Sequence, residues 1–234
     1  MTRKLSKRQS RKRYWEKNIE GFSKFYDTKS EETLNGSWLF NFLYKLTLMP
    51  IEKQYMKERH DKVCSYVESN VSEGIRFADI GCGSGIYSKL AAQCGGIVDA
   101  YDFSSSAISL THKNLIGFPQ ERYSVYQSDI IGSAIKPVDI AISIGVLAYI
   151  DNVSVYLSNI LPYTKHFYFN FLDSNNCLNR IRKKLTFLDA RGYSYHSLSE
   201  VISVLKKFSF EAHEVQSLAT GFLIKSSKIA QSKV

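Results

Sequence analysis

The chain has 234 residues and a mass of 26.7 kDa, enough for one substantial core with an added cap but short for two full domains. A composition of 44% apolar and 23% charged residues excludes a wholly disordered chain. The formal net charge of +9 invites a nucleic-acid partner, but Arg3, Lys4, Lys7, Arg8, Arg11, Lys12 and Arg13 crowd the N-terminus; subtracting those seven from 31 leaves 24 basic against 22 acidic residues in 14–234.

Residues 1–13 read as a disordered basic arm, because a block of like charge repels itself and buries nothing. Residues 14–74 read as an aromatic-rich helical cap that holds both tryptophans, Trp15 and Trp38. Its most apolar run, Trp38 to Met49, is interrupted by Asn41, Lys45 and Thr47 and falls short of the roughly 20 residues that span a bilayer. Trp38, Phe40, Phe42 and Tyr44 read as core of the cap. Pro50 suits the first turn of a helix running to about Glu68, with Ile51, Tyr55, Val63 and Val67 as an apolar stripe. The cap is expected to lie over the site as a lid, with Tyr26 as a contact. Arm and cap together suggest a partner surface, either an anionic membrane or RNA, reached through residues 1–13. Cys64, Cys82, Cys94 and Cys177 form no C-x-x-C pair, which argues against a disulfide framework or a metal site and fits a reducing compartment. No apolar leader follows the basic residues, so a cytoplasmic protein, with a peripheral membrane contact as a second reading, is expected.

After Gly74, short apolar strands alternate with helical stretches over residues 75–234. Strands are expected at Arg76–Ile80, Ile97–Tyr101, Tyr123–Gln127, Val138–Ile144, His166–Leu172, Phe208–Val215 and Gly221–Ile224. Helices are expected at Ile86–Cys94, Ser104–Ile116, Asn152–Leu161, Asn175–Leu185 and Ser197–Lys207. Such alternation implies an α/β fold: a seven-stranded, mostly parallel sheet with helices on both faces and an antiparallel pair at one edge.

The first strand runs into Asp79-Ile80-Gly81-Cys82-Gly83-Ser84-Gly85, a glycine turn with a helix directly behind it. Glycines allow a tight turn and a close ligand, and the helix start offers free N–H groups. A dinucleotide site would want G-x-G-x-x-G, yet Ile86 fills the place of its third glycine. Asp79, two residues before Gly81, would repel a pyrophosphate and attract an ammonium group. The pattern therefore favours an amino-acid-bearing nucleotide such as S-adenosylmethionine. Asp102 ends the second strand, where it can accept ribose hydroxyls, and Asp129 ends the third, where it can accept an adenine amino hydrogen. Three successive strands that each end in Asp are poorly explained by helix capping alone.

These segments resemble the successive motifs of the class I, Rossmann-like S-adenosylmethionine-dependent methyltransferases, and the strand Val138–Ile144 followed by Gly145-Val146-Leu147 is similar to the family's fourth. The resemblance covers about residues 75–172. It implies that Gly81, Gly83 and Gly85 line the methionine end of the cofactor with Asp79 near its ammonium group. It further implies that Asp102 binds the ribose beside Phe103, and that Asp129 and Ile130 read the adenine. One departure is Ala148-Tyr149, where many members carry an acid and a histidine.

An oxygen acceptor generally needs a base. His196, between the fifth strand and a late helix, and Tyr149 are the catalytic candidates, while Asp173 is either a site carboxylate or a helix cap. No Asn/Asp-Pro-Pro-aromatic motif and no Pro-Cys pair is present, which disfavours two routes to nucleic-acid modification. The expectation is a methyltransferase acting on an oxygen or nitrogen of a small-molecule acceptor or biosynthetic intermediate. An RNA or ribosomal-protein methyltransferase using the basic arm, and a non-catalytic cofactor-binding partner, are the alternatives.

Overall fold

A computed structural model describes residues 7–23, 38–184 and 192–230. Tyr26 lies outside these residues, as do the side chains of Trp38, Phe40, Phe42 and Tyr44, so those sequence expectations find no counterpart here.

The elements run α1 (Lys7–Ser23), α2 (Trp38–Asn70), β1 (Arg76–Ile80), α3 (Ile86–Gln93), β2 (Ile97–Asp102), α4 (Ser105–Leu115), β3 (Tyr123–Gln127), β4 (Val138–Ser143), α5 (Val153–Ser158), β5 (Thr164–Leu172), α6 (Cys177–Lys184), α7 (Leu198–Lys207), β6 (Phe210–Leu218) and β7 (Gly221–Lys228). One sheet carries all seven strands in the order β3-β2-β1-β4-β5-β7-β6. β1 to β5 are parallel, and β7 and β6 close the edge as an antiparallel pair. The chain leaves β1 toward β2 on one side and returns to β4 on the other, so a crevice opens between the carboxyl ends of β1 and β4.

Side-chain alternation along the strands builds a core on each face. On β5, Phe167, Phe169 and Phe171 face one cluster with Leu157, Val201 and Leu205, whereas Tyr168 faces the other with Val63, Val67 and Leu115. Helix starts follow local chemistry. Ser104 accepts from the Ala107 N–H, Asn152 from Val155 and Ser197 from Glu200, each satisfying a donor that the first helical turn leaves open.

Three sequence expectations change. Residues 7–13 of the expected disordered arm are the opening turns of α1. Their charge does not isolate them, because carboxylates elsewhere in the fold face them. Pro50 lies inside α2 rather than at its start. β6 and β7 run to Leu218 and Lys228, past the last apolar residues that mark them in sequence. Backbone pairing and a hydrogen bond from Ser226 Oγ to the Phe167 carbonyl (3.0 Å) carry β7 onward.

Candidate functional site

The crevice holds a cavity of about 280 Å³ along the carboxyl edge of the sheet. Its floor begins at the glycine turn. The Gly81 and Cys82 N–H groups donate to the Tyr101 carbonyl at 2.7 and 3.0 Å, locking the turn to β2. Gly81 adopts φ +72°, and a Cβ there would stand 2.2 Å from Val146 Cγ2. Gly85, which starts α3 at φ +76°, would bring a Cβ within 2.9 Å of the Thr111 backbone. Both positions need glycine for conformation and for space.

Asp79, at the end of β1, is 2% exposed and accepts from Ser88 Oγ at 2.7 Å. Burial raises its pKa to about 7; the Ser88 bond opposes that rise and the nearby Asp102 charge adds to it. Asp102, at the end of β2, accepts from the Gly83 N–H at 3.1 Å and the Ser104 N–H at 2.9 Å. Burial also pushes its pKa up, against the pull of these backbone donors. The carboxylate thus pins the glycine turn to the start of α4. Asp129, just beyond β3, accepts from the Ile131 N–H at 3.2 Å and pairs with Arg8 and Lys12, each at 2.6 Å. Burial raises its pKa, but the two cations outweigh that and hold it below the ordinary value. Ile130 is buried in the wall, and its carbonyl accepts from Asn159 Nδ2 at 2.6 Å. Phe103 lines the cavity with the Lys12 ammonium 5.4 Å from its ring centre.

The roof is α1. Arg8, Arg11, Lys12, Trp15 and Ile19 face the cavity, and Ile19 Cδ1 lies 3.4 Å from where a Gly83 Cβ would be. Arg11 is only 7% exposed. Its guanidinium donates to the Tyr149 carbonyl (2.7 Å), the Gly192 carbonyl (2.8 Å) and Ser194 Oγ (3.0 Å), and pairs with Asp151 at 3.1 Å. Farther along α1, Glu16 accepts from Ser105 Oγ (2.5 Å) and the Ser106 N–H (3.4 Å) at the start of α4, where the helix dipole favours an anion. The Ser105 bond leads in lowering its pKa.

A family profile described as a methyltransferase domain matches residues 53–215. The chain belongs to this methyltransferase family. No curated protein matches it. Among solved structures it is similar to the magnesium protoporphyrin IX methyltransferase ChlM of Synechocystis PCC 6803 with bound S-adenosylmethionine. The two are 13% identical over 98% of this chain and 100% of that one, with a TM-score of 0.71. It is also similar to the N-methyltransferase NodS of Bradyrhizobium japonicum WM9 in complex with S-adenosylhomocysteine, at 18% identity over 76% and 88% of the two chains and a TM-score of 0.58. At these identities the likenesses speak for the fold, which is the Rossmann-like one that the motifs imply. S-adenosylmethionine is the cofactor of this methyltransferase.

All eight residues that the sequence motifs single out for the cofactor meet here. Asp79, Gly81, Gly83, Asp102, Phe103, Asp129 and Ile130 line the cavity, and Gly85 supports the turn from behind. The two catalytic candidates separate. Tyr149 of the methyltransferase lines the cavity from a single 3-10 turn (Leu147–Tyr149), its ring edge-on to Trp15 at 5.2 Å and 5.5 Å from Tyr193. His196 does not face the cavity. It is 4% exposed, its Nε2 lies 2.8 Å from the Ile150 carbonyl and its Nδ1 3.5 Å from Glu200. The structure places His196 away from the cavity lining, between the turn after β4 and the start of α7. Asp173 accepts from the Asn175 N–H at 3.0 Å in the turn ahead of α6, whose first N–H groups donate to Asn176 Oδ1 instead, and it does not line the cavity.

Sequence reading missed the far wall. Asn170 on β5 accepts from the Gly145 N–H at 2.7 Å, which fixes its amide so that Nδ2 reaches the Tyr55 hydroxyl at 3.3 Å. One helical turn on, Arg59 is buried with its guanidinium 5.6 Å from the Tyr55 ring centre and 3.5 Å from where a Gly145 Cβ would be. The only sequence signal was Tyr55 in an apolar stripe, and that stripe does not separate a core tyrosine from a cavity one.

Proposed function

We propose that this methyltransferase moves the methyl group of S-adenosylmethionine to an oxygen or nitrogen of a small-molecule acceptor. The observation that carries the reading is the row Asp129, Asp102, Asp79 along one cavity wall in strand order β3, β2, β1, ending at the glycine turn. In this reading the adenine lies against Asp129 and Ile130, and the ribose hydroxyls reach Asp102 beside Phe103. The amino-acid ammonium faces Asp79, where it supplies the positive charge that burial otherwise denies that carboxylate. Gly81, Gly83 and Gly85 leave the backbone bare where the methionine portion passes. When bound, the cofactor supplies an electrophilic methyl group on a cationic sulfur. The chain contributes alignment and exclusion of water: α1 covers the cavity, and Trp15, Tyr149 and Tyr193 wall its β4 end.

A cytoplasmic location belongs to the proposal, supported by four cysteines that form no disulfide. Among the described residues no helix is long and apolar enough to cross a membrane. The RNA and membrane readings lose their main support, because Arg8, Arg11 and Lys12 bond inward to the methyltransferase's own acids and carbonyls. Calorimetric titration with S-adenosylmethionine and S-adenosylhomocysteine tests the cofactor assignment, and absence of binding at millimolar ligand overturns it. A screen with labelled methyl donor then separates an enzyme from a non-catalytic binding protein, since turnover excludes the latter.

A further inference from the structure

The acids of the cavity are confined to one end, where Arg8 and Lys12 pair with Asp129. Among the described residues that line the cavity, the acids are Asp79, Asp102 and Asp129, all at the ends of β1 to β3. The part beyond the glycine turn, toward β4, β5 and α6, carries Arg59 and Arg182, and no acid or histidine among the described lining residues. The same lining includes amide, aromatic and aliphatic side chains: Asn170, Tyr149, Tyr193, Leu172 and Leu178. Leu178 and Arg182 stand one turn apart on α6, and Leu178 is 37% exposed, so this end communicates with solvent.

Resting on the small-molecule reading above, we propose that the acceptor is a carboxylate carried on an apolar or aromatic body, and that the product is its methyl ester. A phenol, alcohol or ammonium acceptor must lose a proton to react, and the residue types that usually take one are carboxylates and histidine. A carboxylic acid arrives already ionised near neutral pH, since its ordinary pKa is about 4. A carboxylate oxygen lone pair forms the new O–CH3 bond as the methyl–sulfur bond breaks, and that bond's electrons stay on sulfur. Anion and sulfonium become two neutral groups, and no proton is released. Withdrawal from water into an apolar cavity strengthens a weak oxygen nucleophile beside a cation. Arginine presents five N–H donors in a planar fork, so Arg182 can hold the acceptor's carboxylate, or a second one, while keeping other partners. The aromatic wall of Trp15, Tyr149 and Tyr193 suits a flat body.

The test uses the full chain and tritiated-methyl S-adenosylmethionine with benzoate, naphthoate, indole carboxylate and anthracene carboxylate, each beside its phenol and amine counterparts. The expected result is label on the carboxylates, at least about tenfold above their counterparts, that mild alkali releases as volatile methanol. Alkali-stable label on the phenols or amines overturns the proposal. So does failure to label any carboxylate while the cofactor still binds; failure of cofactor binding itself instead overturns the underlying reading. A binding measurement needs no turnover. With S-adenosylhomocysteine present, Arg182→Ala is expected to weaken the best-bound acid by about tenfold and its methyl ester far less, with Arg182→Lys in between. Equal weakening of acid and ester overturns the charge role.

Discussion

The two halves of the cavity are built on opposite plans. The β1–β3 half is a row of carboxylates held by backbone N–H groups and short loops, close in sequence to the strands that present them. The β4–β5 half is assembled from distant pieces: α1, α2, the turn after β4, α6 and the segment that follows residue 192. The first half is mostly local in sequence, and the proposed reading gives it the cofactor. The second is long-range, depends on side-chain pairing and is where an acceptor must be distinguished. Helix α1 joins the two halves, since Arg8 and Lys12 reach Asp129 and Glu16 reaches Ser105 while Arg11 reaches Asp151.

The largest expected effect tests the local half. Asp79 moves from an ordinary value of 3.8 to about 7 on burial. The unfolded chain gives up this proton near pH 4, whereas the folded chain retains it to about pH 7. Stability owed to protonated Asp79 is therefore fully present below pH 4 and lost as pH rises through about 7, a change of about 4 kcal/mol. Asp102 shifts in the same direction. Urea melts of the cofactor-free chain from pH 4 to 8 should show this fall, and Asp79→Asn should flatten it. An ammonium ligand should reverse the shift, so cofactor binding near pH 6.5 should release a proton, read from binding heats in two buffers. The same pH slope in both proteins would remove Asp79 as its source.

Arg11 tests the long-range half. Arg11→Ala removes a buried guanidinium with three hydrogen-bonded partners and an ion pair, and should cost about 2–3 kcal/mol. Faster proteolysis within α1 should accompany the lower urea midpoint, and Arg11→Lys should recover little because it lacks the fork. An unchanged midpoint would mean that α1 is held by something else. Asp102→Ala comes next. It frees the Gly83 and Ser104 N–H groups and the expected ribose contact together, so cofactor affinity should fall by about 2 kcal/mol, roughly 30-fold. Unchanged affinity would contradict the ribose assignment.

The two halves also differ in how legible they were. β1 and β3 match their sequence-derived limits residue for residue, β1 ending at the Gly81 turn and β3 at Ser128-Asp129. The acids at the strand ends follow from the parallel topology alone. Arg11 was misread because a run of cations looks self-repelling until its partners are known, and Asp151 lies 140 residues away. His196 is a different case. Its place in a loop near the site was right, but only the fold reveals that the imidazole points to the Ile150 carbonyl. Asn170 carries no signal at all. It sits in Phe167–Leu172 as the one amide of a buried aromatic strand, and only the Gly145 N–H explains it.

The smallest effect divides the basic residues among themselves. Arg8 and Lys12 both reach Asp129 at 2.6 Å, the same distance to one carboxylate oxygen, yet both cations are about half exposed to solvent. Water and salt screen such pairs, and holding long side chains in place costs entropy, so together they should contribute less than about 1 kcal/mol. Arg8→Gln combined with Lys12→Gln should leave the urea midpoint nearly unchanged, while Asp129 moves up toward the ordinary carboxylate value. Arg11, three residues from Arg8 on the same helix, should show the contrast, because its guanidinium is buried and two backbone carbonyls lose its N–H donors when it is removed. A double variant as destabilised as Arg11→Ala would show that α1 is held by its whole charge rather than by one buried clamp.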